Sequence, residues 1–391
     1  MCAIFRETND APSDDSLLPV IDTLLPKVLA LRSKIAQAAE EEDNEALRNL
    51  MRLFCEAAEA WLVLIIRDPQ KFKPLVQCIL ECAANDGEKA AIAISFHFWA
   101  ELKLYLVLEK YIEARLEFAD VLQQLVNVMI NHLRYPDPEG SDNNDLFDGD
   151  REKEDNFREF RHDMGDVLKD CCEILGTAEC LRHPATRIET WLSTYASQIT
   201  PTIYPHWQEL EAALFSLRAM GKMVNRDEAI VLPKLIPVIL QLPRHERVSF
   251  AAILAIGRFT GWTSAHPEFF QAQFQYIISA FDYRETRGDE VLRAAAQALT
   301  FFCEDCSELL VNSFAQLQSF YETVQGRLPQ LSRVEVTEGI GSVIYAQPIE
   351  SVYDAMKLFC DPIVERIKVS ADKATDKAGQ RELGGQCGAA Y

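Results

Sequence analysis

Apolar residues recur along most of this chain at spacings of three and four, the pattern of helices that bury one face. The stretch 44–66 is the clearest example, and its leucines and aromatic residues fall on one stripe that predicts a single long helix. No segment alternates apolar and polar residues regularly enough to predict a strand. The pattern therefore indicates an all-α protein.

A helical unit returns along the chain at intervals of about 40 residues, a period typical of HEAT and armadillo arrays. Each unit is predicted to contain two amphipathic helices joined by a short turn. A unit of this kind cannot bury its apolar face alone, so neighbours must stack into a rod with a long concave surface. We therefore predict a HEAT-repeat α-solenoid, a superhelix of antiparallel helix pairs, with clear units beginning near Trp207, Glu246, Asp289 and Leu328.

Small residues in the middle of two predicted helices indicate where neighbouring helices approach closely. The stretches 251–257 and 294–298 are rich in alanine, and small side chains let two helix axes come within about 8 Å. We expect Ala296 to lie in such an interface, where a leucine would overpack the contact.

Proline, glycine and aspartate give local signals for helix boundaries. Asp68 followed by Pro69 predicts an N-cap and a first helical position. Gly176 is well placed to end a helix. Pro26 predicts a kink or a break, and Pro184 is expected to begin a shorter helix.

The segment 134–156 interrupts the helical pattern. Residues 137–155 include nine acidic and two basic side chains among Pro, Gly, Asn and Ser, so we predict a solvated, mobile loop. Helical repeats are predicted in 1–133 and 157–369, and a frayed tail in 370–391. The loop is either an insertion that only adds solubility or an anionic arm that captures a basic partner. The residues predicted to bind that partner are Asp142, Asp145, Asp148, Asp150, Glu152, Glu154 and Asp155.

The charge balance changes which partners are expected. Thirty-nine Lys and Arg against sixty Asp and Glu give a net charge of −21. Such a field opposes direct binding to nucleic acid and to anionic membranes, and it attracts basic partners. Solubility alone would also explain the charge, but a basic protein partner is the favoured interpretation.

The chain contains cysteine and histidine, but not at the spacings that a metal site or a catalytic site requires. Cys303 and Cys306 form one C-x-x-C pair with no second pair for a zinc site, so structural thiols are favoured. His97 lies in the apolar run from Phe96 to Trp99, and we expect a core imidazole among core aromatic residues rather than a ligand. Glycine-rich phosphate-binding motifs and nucleophile elbows are absent. We therefore expect no cofactor, no metal and no enzymatic activity.

Cysteine usage and the N-terminal residues bear on the compartment. Eleven cysteines, most of them inside apolar stripes, fit buried thiols in a reducing environment. Residues 1–15 lack a signal-peptide pattern, and the apolar run 60–66 is far too short to span a membrane. We expect a soluble intracellular protein.

Several segments resemble one known family. The segment Asp155–Leu181 reads DNFREFRHDMGDVLKDCCEILGTAECL and resembles the middle part of the transportin-SR branch of the importin-β family, including the fungal mRNA transport regulators. The sequences that begin at Ala91, His206 and Pro267 are similar to the same family, as is a charged loop before the Phe-Arg-Glu-Phe-Arg motif. The resemblance runs from about residue 14 to residue 378. Importin-13 is the nearest rival within the superfamily.

The resemblance implies a nuclear import receptor that shuttles between nucleus and cytoplasm. Cargoes of this branch are RNA-binding proteins with Arg/Ser- or Arg/Gly-rich segments. The GTP-bound form of Ran releases the cargo, and Phe-Gly repeats of nucleoporins contact the receptor. An acidic solenoid suits such basic cargo by Coulomb attraction.

The chain also departs from the family. Members are more than twice as long, and the N-terminal repeats for the main Ran contact and the C-terminal arginine-rich helix have no counterpart here. We expect the central part of a receptor, as a fragment, a truncated gene model or a shortened isoform. A HEAT scaffold for an unrelated multiprotein complex stays open as the alternative, and an enzyme built on an α-solenoid as a third possibility.

Overall fold

The computed structural model describes residues 2–8, 17–87, 89–137, 146–147, 149–200, 203–282 and 288–372. Helices dominate these ranges, and their only β-type pairing is an isolated bridge between Thr200 and Ile203. The prediction of an all-α protein built from helix pairs is confirmed. The chain divides into two compact units, Met1–Met223 and Val224–Tyr391.

Unit 1 packs its helices in two rows. One row contains α4, α7, α9 and α11, each in contact with the next, and the other contains α6, α8 and α10. The bounds are α1 Cys2–Glu7, α2 Leu18–Leu29, α3 Ser33–Glu40, α4 Asn44–Ala60, α5 Leu62–Arg67, α6 Pro69–Ala84, α7 Ile92–Leu106, α8 Ile112–His132, α9 Arg151–Leu175, α10 Thr177–Tyr195 and α11 Trp207–Met220.

Unit 2 continues the helical pattern. Here α13, α16 and α19 pack side by side, and α12 and α15 contact each other as do α18 and α20. The bounds are α12 Leu232–Leu240, α13 Glu246–Arg258, α14 Thr260–Thr263, α15 Pro267–Ala280, α16 Gly288–Asp305, α17 Ser307–Leu310, α18 Phe314–Val324, α19 Gln330–Tyr345 and α20 Ile349–Asp372.

Helix α16 lies between two helices that approach it closely. A Cβ added to Gly257 of α13 would lie 3.0 Å from the Cβ of Ala298, and one added to Gly339 of α19 would lie 3.1 Å from the Cα of Thr300. Ala296 is fully buried. The expected close packing of small residues is therefore present, because glycine at both crossings leaves no side chain between the backbones.

Some boundary signals are confirmed and others are wrong. Asp68 caps α6 by accepting a hydrogen bond from the Lys71 N–H at 3.3 Å, and Gly176 ends α9 with a φ of +90°. Of the kink or break predicted at Pro26, the break is wrong, since α2 continues to Leu29, and the kink stays a prediction. The start predicted at Pro184 is also wrong, because α10 begins at Thr177 and includes the buried proline. Tertiary packing of a helix face can outweigh one lost backbone hydrogen bond.

The single helix predicted over 44–66 is interrupted at Trp61. The backbone there leaves helical geometry, with φ −107° and ψ 16°. The fully buried indole lies 5.3 Å from the ring of Phe5 and 6.2 Å from that of Phe72, and its Nε1 donates to the Thr8 hydroxyl at 2.8 Å. Contacts from distant parts of the chain thus hold this position, and the local pattern could not reveal them.

Candidate partner-binding site

The acidic residues predicted to bind a partner are only partly described. Asp142, Asp145 and Asp148 lie outside the described residues, as does the tail from 373 onward. The mobility predicted for the loop and the fraying predicted for the tail therefore stay predictions. The two compact units divide between residues 223 and 224, and the helices on both sides of the acidic segment belong to unit 1.

The last part of the predicted loop is helical. Helix α9 begins at Arg151, so the expectation that helix resumes only at Phe157 is wrong. The carboxylate of Asp150 caps the helix by accepting from the Glu152 and Lys153 N–H groups, both at 3.1 Å. Acidic side chains in the first turn also favour a helix start electrostatically. Acidic residues predicted to form a solvated loop therefore stabilise the N-terminus of α9.

The acidic residues of this first part of α9 are mostly paired locally. Glu154 and Asp155 contact the guanidinium of Arg158 at 3.5 and 3.3 Å, and Asp155 is 70% exposed. Exposed pairs of this kind are weak, about 0.2–1 kcal/mol each. Their carboxylates stay available to a competing cation, and partner binding by Asp150, Glu152, Glu154 and Asp155 stays a prediction.

An aromatic cluster fixes both ends of the acidic segment. The ring of Tyr135, which precedes the acidic residues 137–155, lies 5.4 Å from the ring of Phe157 and 5.8 Å from that of Trp207. Phe147, within the segment, lies 5.6 Å from Phe157 and 6.4 Å from Tyr135, and the neighbouring Leu146 is buried. Sequence reasoning treated 134–156 as one solvated stretch and missed this anchor.

A buried ion pair lies against the same aromatic cluster. Nη2 of Arg161 donates to both carboxylate oxygens of Glu211, at 2.9 and 2.7 Å, and the two side chains are 4% and 5% exposed. The guanidinium also lies 4.5 Å from the ring of Tyr135 and 4.0 Å from that of Phe215. The pair joins α9 to α11 and holds the base of the acidic segment in place.

Lys89 completes the cationic side of this base. Its Nζ lies 4.2 Å from the ring centroid of Phe157. Burial lowers the pKa of Lys89 to about 8, and the nearby charges of Arg161 and Arg134 act in the same direction, while Asp86 opposes them. Arg161 and Lys89 are thus held against aromatic rings, whereas the described carboxylates of Asp137, Glu152 and Asp155 are exposed.

One face of α9 carries an acidic stripe that the loop hypothesis did not include, and two of its carboxylates, Asp155 and Asp166, pair with Arg158 and Lys169 of the same helix. Its residues are spaced by three and four, so they lie on one side of the helix. Burial raises the pKa of Asp163, and its neighbours Glu159 and Asp166 raise it further. Lys103 of α7 pairs with the far end of the stripe. The stripe consists of Asp155, Glu159, Asp163, Asp166, Asp170 and Glu173.

Further acidic residues interact with one another on α4 and α7. Burial raises the pKa of Glu59 on α4, and Glu56 and Glu101 add to the effect while His97 opposes it. Carboxylates that repel one another have raised pKa values, and a bound cation stabilises their charged forms. The helical spacing of the α9 residues could have revealed the stripe from sequence, but the density of charge in 137–155 drew the prediction to the loop.

The run from Phe96 to Trp99 is only partly a core feature. Phe98 and Trp99 are buried, and Phe96 is half-buried with its ring 5.7 Å from that of Phe160. His97 is exposed, so the expectation of a core imidazole is wrong. On α7 the buried face passes through positions 95, 98, 99 and 102, and position 97 lies on the opposite side.

The cysteines have the surroundings of structural thiols. Eight of the nine cysteines whose side chains the structure describes are buried. Burial raises the pKa of Cys306 to about 12, and its Sγ lies 3.5 Å from the carbonyl oxygen of Thr260. In the part of the chain that the structure describes, no three His, Cys, Asp or Glu side chains converge as metal ligands. None of the helices there combines the length and the apolar character that crossing a bilayer requires.

Two family models match the chain. The Transportin-3/Importin-13 second TPR domain matches residues 42–132, and the Transportin-3/Importin-13 third TPR domain matches residues 229–319. Each match falls within one compact unit.

Similar proteins extend the match over nearly the whole chain. An uncharacterised protein of Schizosaccharomyces pombe is 40% identical over 98% of this chain and 39% of its own length. The mRNA transport regulator MTR10 of Saccharomyces cerevisiae is 35% identical over 94% of this chain and 37% of its own length. The structure of importin-13 in its cytosolic state superposes with a TM-score of 0.74 at 16% identity, covering 93% of this chain and 43% of that one. The chain thus spans about two fifths of the length of these relatives.

Proposed function

The chain belongs to the transportin-3/importin-13 group of the karyopherins, and we propose that it is the part of a nuclear transport receptor that holds basic protein cargo. The cargo we propose is an RNA-binding protein with Arg/Ser- or Arg/Gly-rich segments, imported under the control of Ran. The receptor would contact Phe-Gly nucleoporins and shuttle between nucleus and cytoplasm. Its role would be binding rather than catalysis, without a cofactor and without direct contact to nucleic acid or membrane.

The acidic stripe of α9 is the observation that supports this proposal. Six carboxylates lie on one side of a 25-residue helix, and an α-helix rises about 1.5 Å per residue. Arginines repeated along an extended peptide would meet carboxylates repeatedly over that length. The acidic residues predicted in 137–155 precede the same helix and would add to the attraction over roughly a Debye length.

Binding of a synthetic Arg/Ser peptide to this chain tests the proposal. Replacement of Glu159, Asp163 and Asp166 by the matching amides should weaken binding roughly tenfold at low salt, because exposed ion pairs contribute about 0.2–1 kcal/mol each. The control replaces the exposed Glu109, Glu113 and Glu189 by Gln, which removes the same charge elsewhere in unit 1. Fluorescence anisotropy of a labelled peptide measures both. Equal losses for the two triple variants would reject a specific cargo face.

An experiment with the two nucleotide states of Ran distinguishes a receptor from a scaffold. Ran loaded with GTP should release the peptide from a receptor, whereas Ran loaded with GDP should leave it bound. A scaffold would ignore the nucleotide state. Because the chain spans about two fifths of its relatives, the experiment is run with this chain and with the full-length MTR10 of yeast as the positive control.

A further inference from the structure

A cleft in unit 2 is lined largely by polar and charged side chains. It opens between helices α18, α19 and α20 and has a volume of about 430 Å³. That volume exceeds what a water molecule or a small ion needs. The side chains that matter for its chemistry are Tyr321, Glu322, Gln325, Arg333, Ile363 and Arg366.

The cleft contains two guanidinium groups and one carboxylate. Nη1 of Arg366 contacts Oε2 of Glu322 at 2.9 Å, and the Gln325 amide donates to the same oxygen at 2.6 Å. Arg333, from α19, does not pair with Glu322 in the described structure. The three charged side chains that line the cleft therefore sum to a charge of +1, in a chain whose net charge is −21.

Arg333 leaves almost all of its hydrogen-bonding capacity unused. Among the described residues the only hydrogen bond of its guanidinium group is a long one, from Nη2 to the Leu328 carbonyl oxygen at 3.5 Å. Its Nε is buried and has no partner there. A guanidinium offers five N–H donors, and a buried donor without a partner costs free energy. Oε1 of Glu322, which lines the same cleft, is likewise buried and has no partner among the described residues. The cleft therefore offers an unused donor and an unused acceptor to a ligand.

The two arginines act on the same region of the cleft. Burial raises the pKa of Tyr321, whereas its hydrogen bond to Thr337 and the charges of Arg333 and Arg366 act in the opposite direction. The Tyr321 ring is fixed against Phe359 at 5.5 Å, and its hydroxyl lies 2.8 Å from that of Thr337. Arg333 and Arg366 therefore line the same cleft as one rigid phenol.

We propose that this cleft binds an oxyanion, a phosphate or carboxylate group held between Arg333 and Arg366. Guanidinium groups match both anions through paired N–H donors. The carboxylate of Glu322 holds Arg366 in position and limits the affinity by repelling the anion. This inference does not depend on the proposed transport function, since it concerns anions and lies in the other unit.

Titration with inorganic phosphate tests the proposal directly. Binding to this chain is followed by isothermal titration calorimetry at constant ionic strength, with chloride replacing phosphate. Arg333→Gln should weaken phosphate binding about tenfold or more, because it removes charge-assisted hydrogen bonds. The matched control is Lys357→Gln, which removes one positive charge from an exposed position on α20 and should change the affinity less than about twofold.

A variant with the opposite sign separates ligand binding from a structural role. Glu322→Gln removes the only carboxylate that lines the cleft and should tighten phosphate binding severalfold. The same change removes the ion pair with Arg366, which a purely structural site would need. Circular dichroism melts check that each variant is folded. Acetate is titrated as a competitor: displacement of phosphate supports a carboxylate-binding site, and its failure supports a phosphate-binding one. Absence of phosphate binding, or equal affinity of wild type and Arg333→Gln, would overturn the proposal.

Discussion

Replacement of Glu211 by Gln should strongly destabilise unit 1. Glu211 and Arg161 are 5% and 4% exposed, and the carboxylate accepts two hydrogen bonds shorter than 3 Å. Gln keeps the shape of Glu but leaves the guanidinium buried without an opposite charge. Breaking a buried pair on one side costs about 3–5 kcal/mol. For a unit of this size 1 kcal/mol shifts Tm by about 2–4 °C, so we expect Tm to fall by about 6–20 °C.

The measurement is urea and thermal unfolding followed by circular dichroism, with hydrogen exchange of α9 and α11 to locate the effect. Glu209→Gln is the matched control, because Glu209 lies on the same helix in a half-exposed pair with Arg134 at 3.4 Å. That variant should lose less than about 1 kcal/mol. The double variant Arg161→Met/Glu211→Met should recover much of the loss, since apolar replacement removes both buried charges. A loss below about 1 kcal/mol for Glu211→Gln would refute the reasoning.

Three further predictions concern packing, titration and reactivity. Ala296→Leu should cost about 1–3 kcal/mol in urea unfolding, while Arg293→Leu, at an exposed position on the same helix, should cost little. Lys89 has a folded pKa of about 8 against an ordinary value of 10.5. Its buried positive charge therefore lowers the free energy of unfolding below about pH 8, and this destabilisation disappears as the pH rises towards 10.5. Lys89→Met should therefore be more stable than wild type at pH 7, and unfolding curves that differ equally at pH 7 and pH 9.5 would contradict this. With Cys2 and Cys387 replaced by Ser, a thiol reagent should modify half-buried Cys360 well before any other cysteine, and fast modification of a second thiol would contradict the burial.

The repeat pattern was readable from sequence because helix pairs bury a periodic stripe. The units predicted to begin near Trp207, Glu246, Asp289 and Leu328 correspond to the starts of α11, α13, α16 and α19 within two residues. One of the failures comes from contacts between distant residues. Trp61 interrupts a helix whose local pattern continues, because Thr8, Phe5 and Phe72 hold its indole.

The candidate site shows the same limit more clearly. Composition alone located the acidic segment, and the resemblance of Asp155–Leu181 located the family. Neither indicated that Arg161 pairs with Glu211, fifty residues away, since a lone arginine on a helix gives no sign of its partner. Such a pairing depends on how α9 and α11 pack.

The anchoring of the acidic segment changes how its role should be tested. Deletion of 137–155 would remove the buried Leu146 and the Asp150 cap together with the charges, so a slower association could reflect damage to α9. Replacement of Asp142, Asp145 and Asp148 by Asn removes charge and keeps the anchors. If the segment steers basic cargo, this variant should bind an Arg/Ser peptide severalfold more slowly in stopped-flow measurements at low salt. The difference should vanish near 1 M salt, where the Debye length is about 3 Å, and an unchanged on-rate at low salt would show that these charges only add solubility.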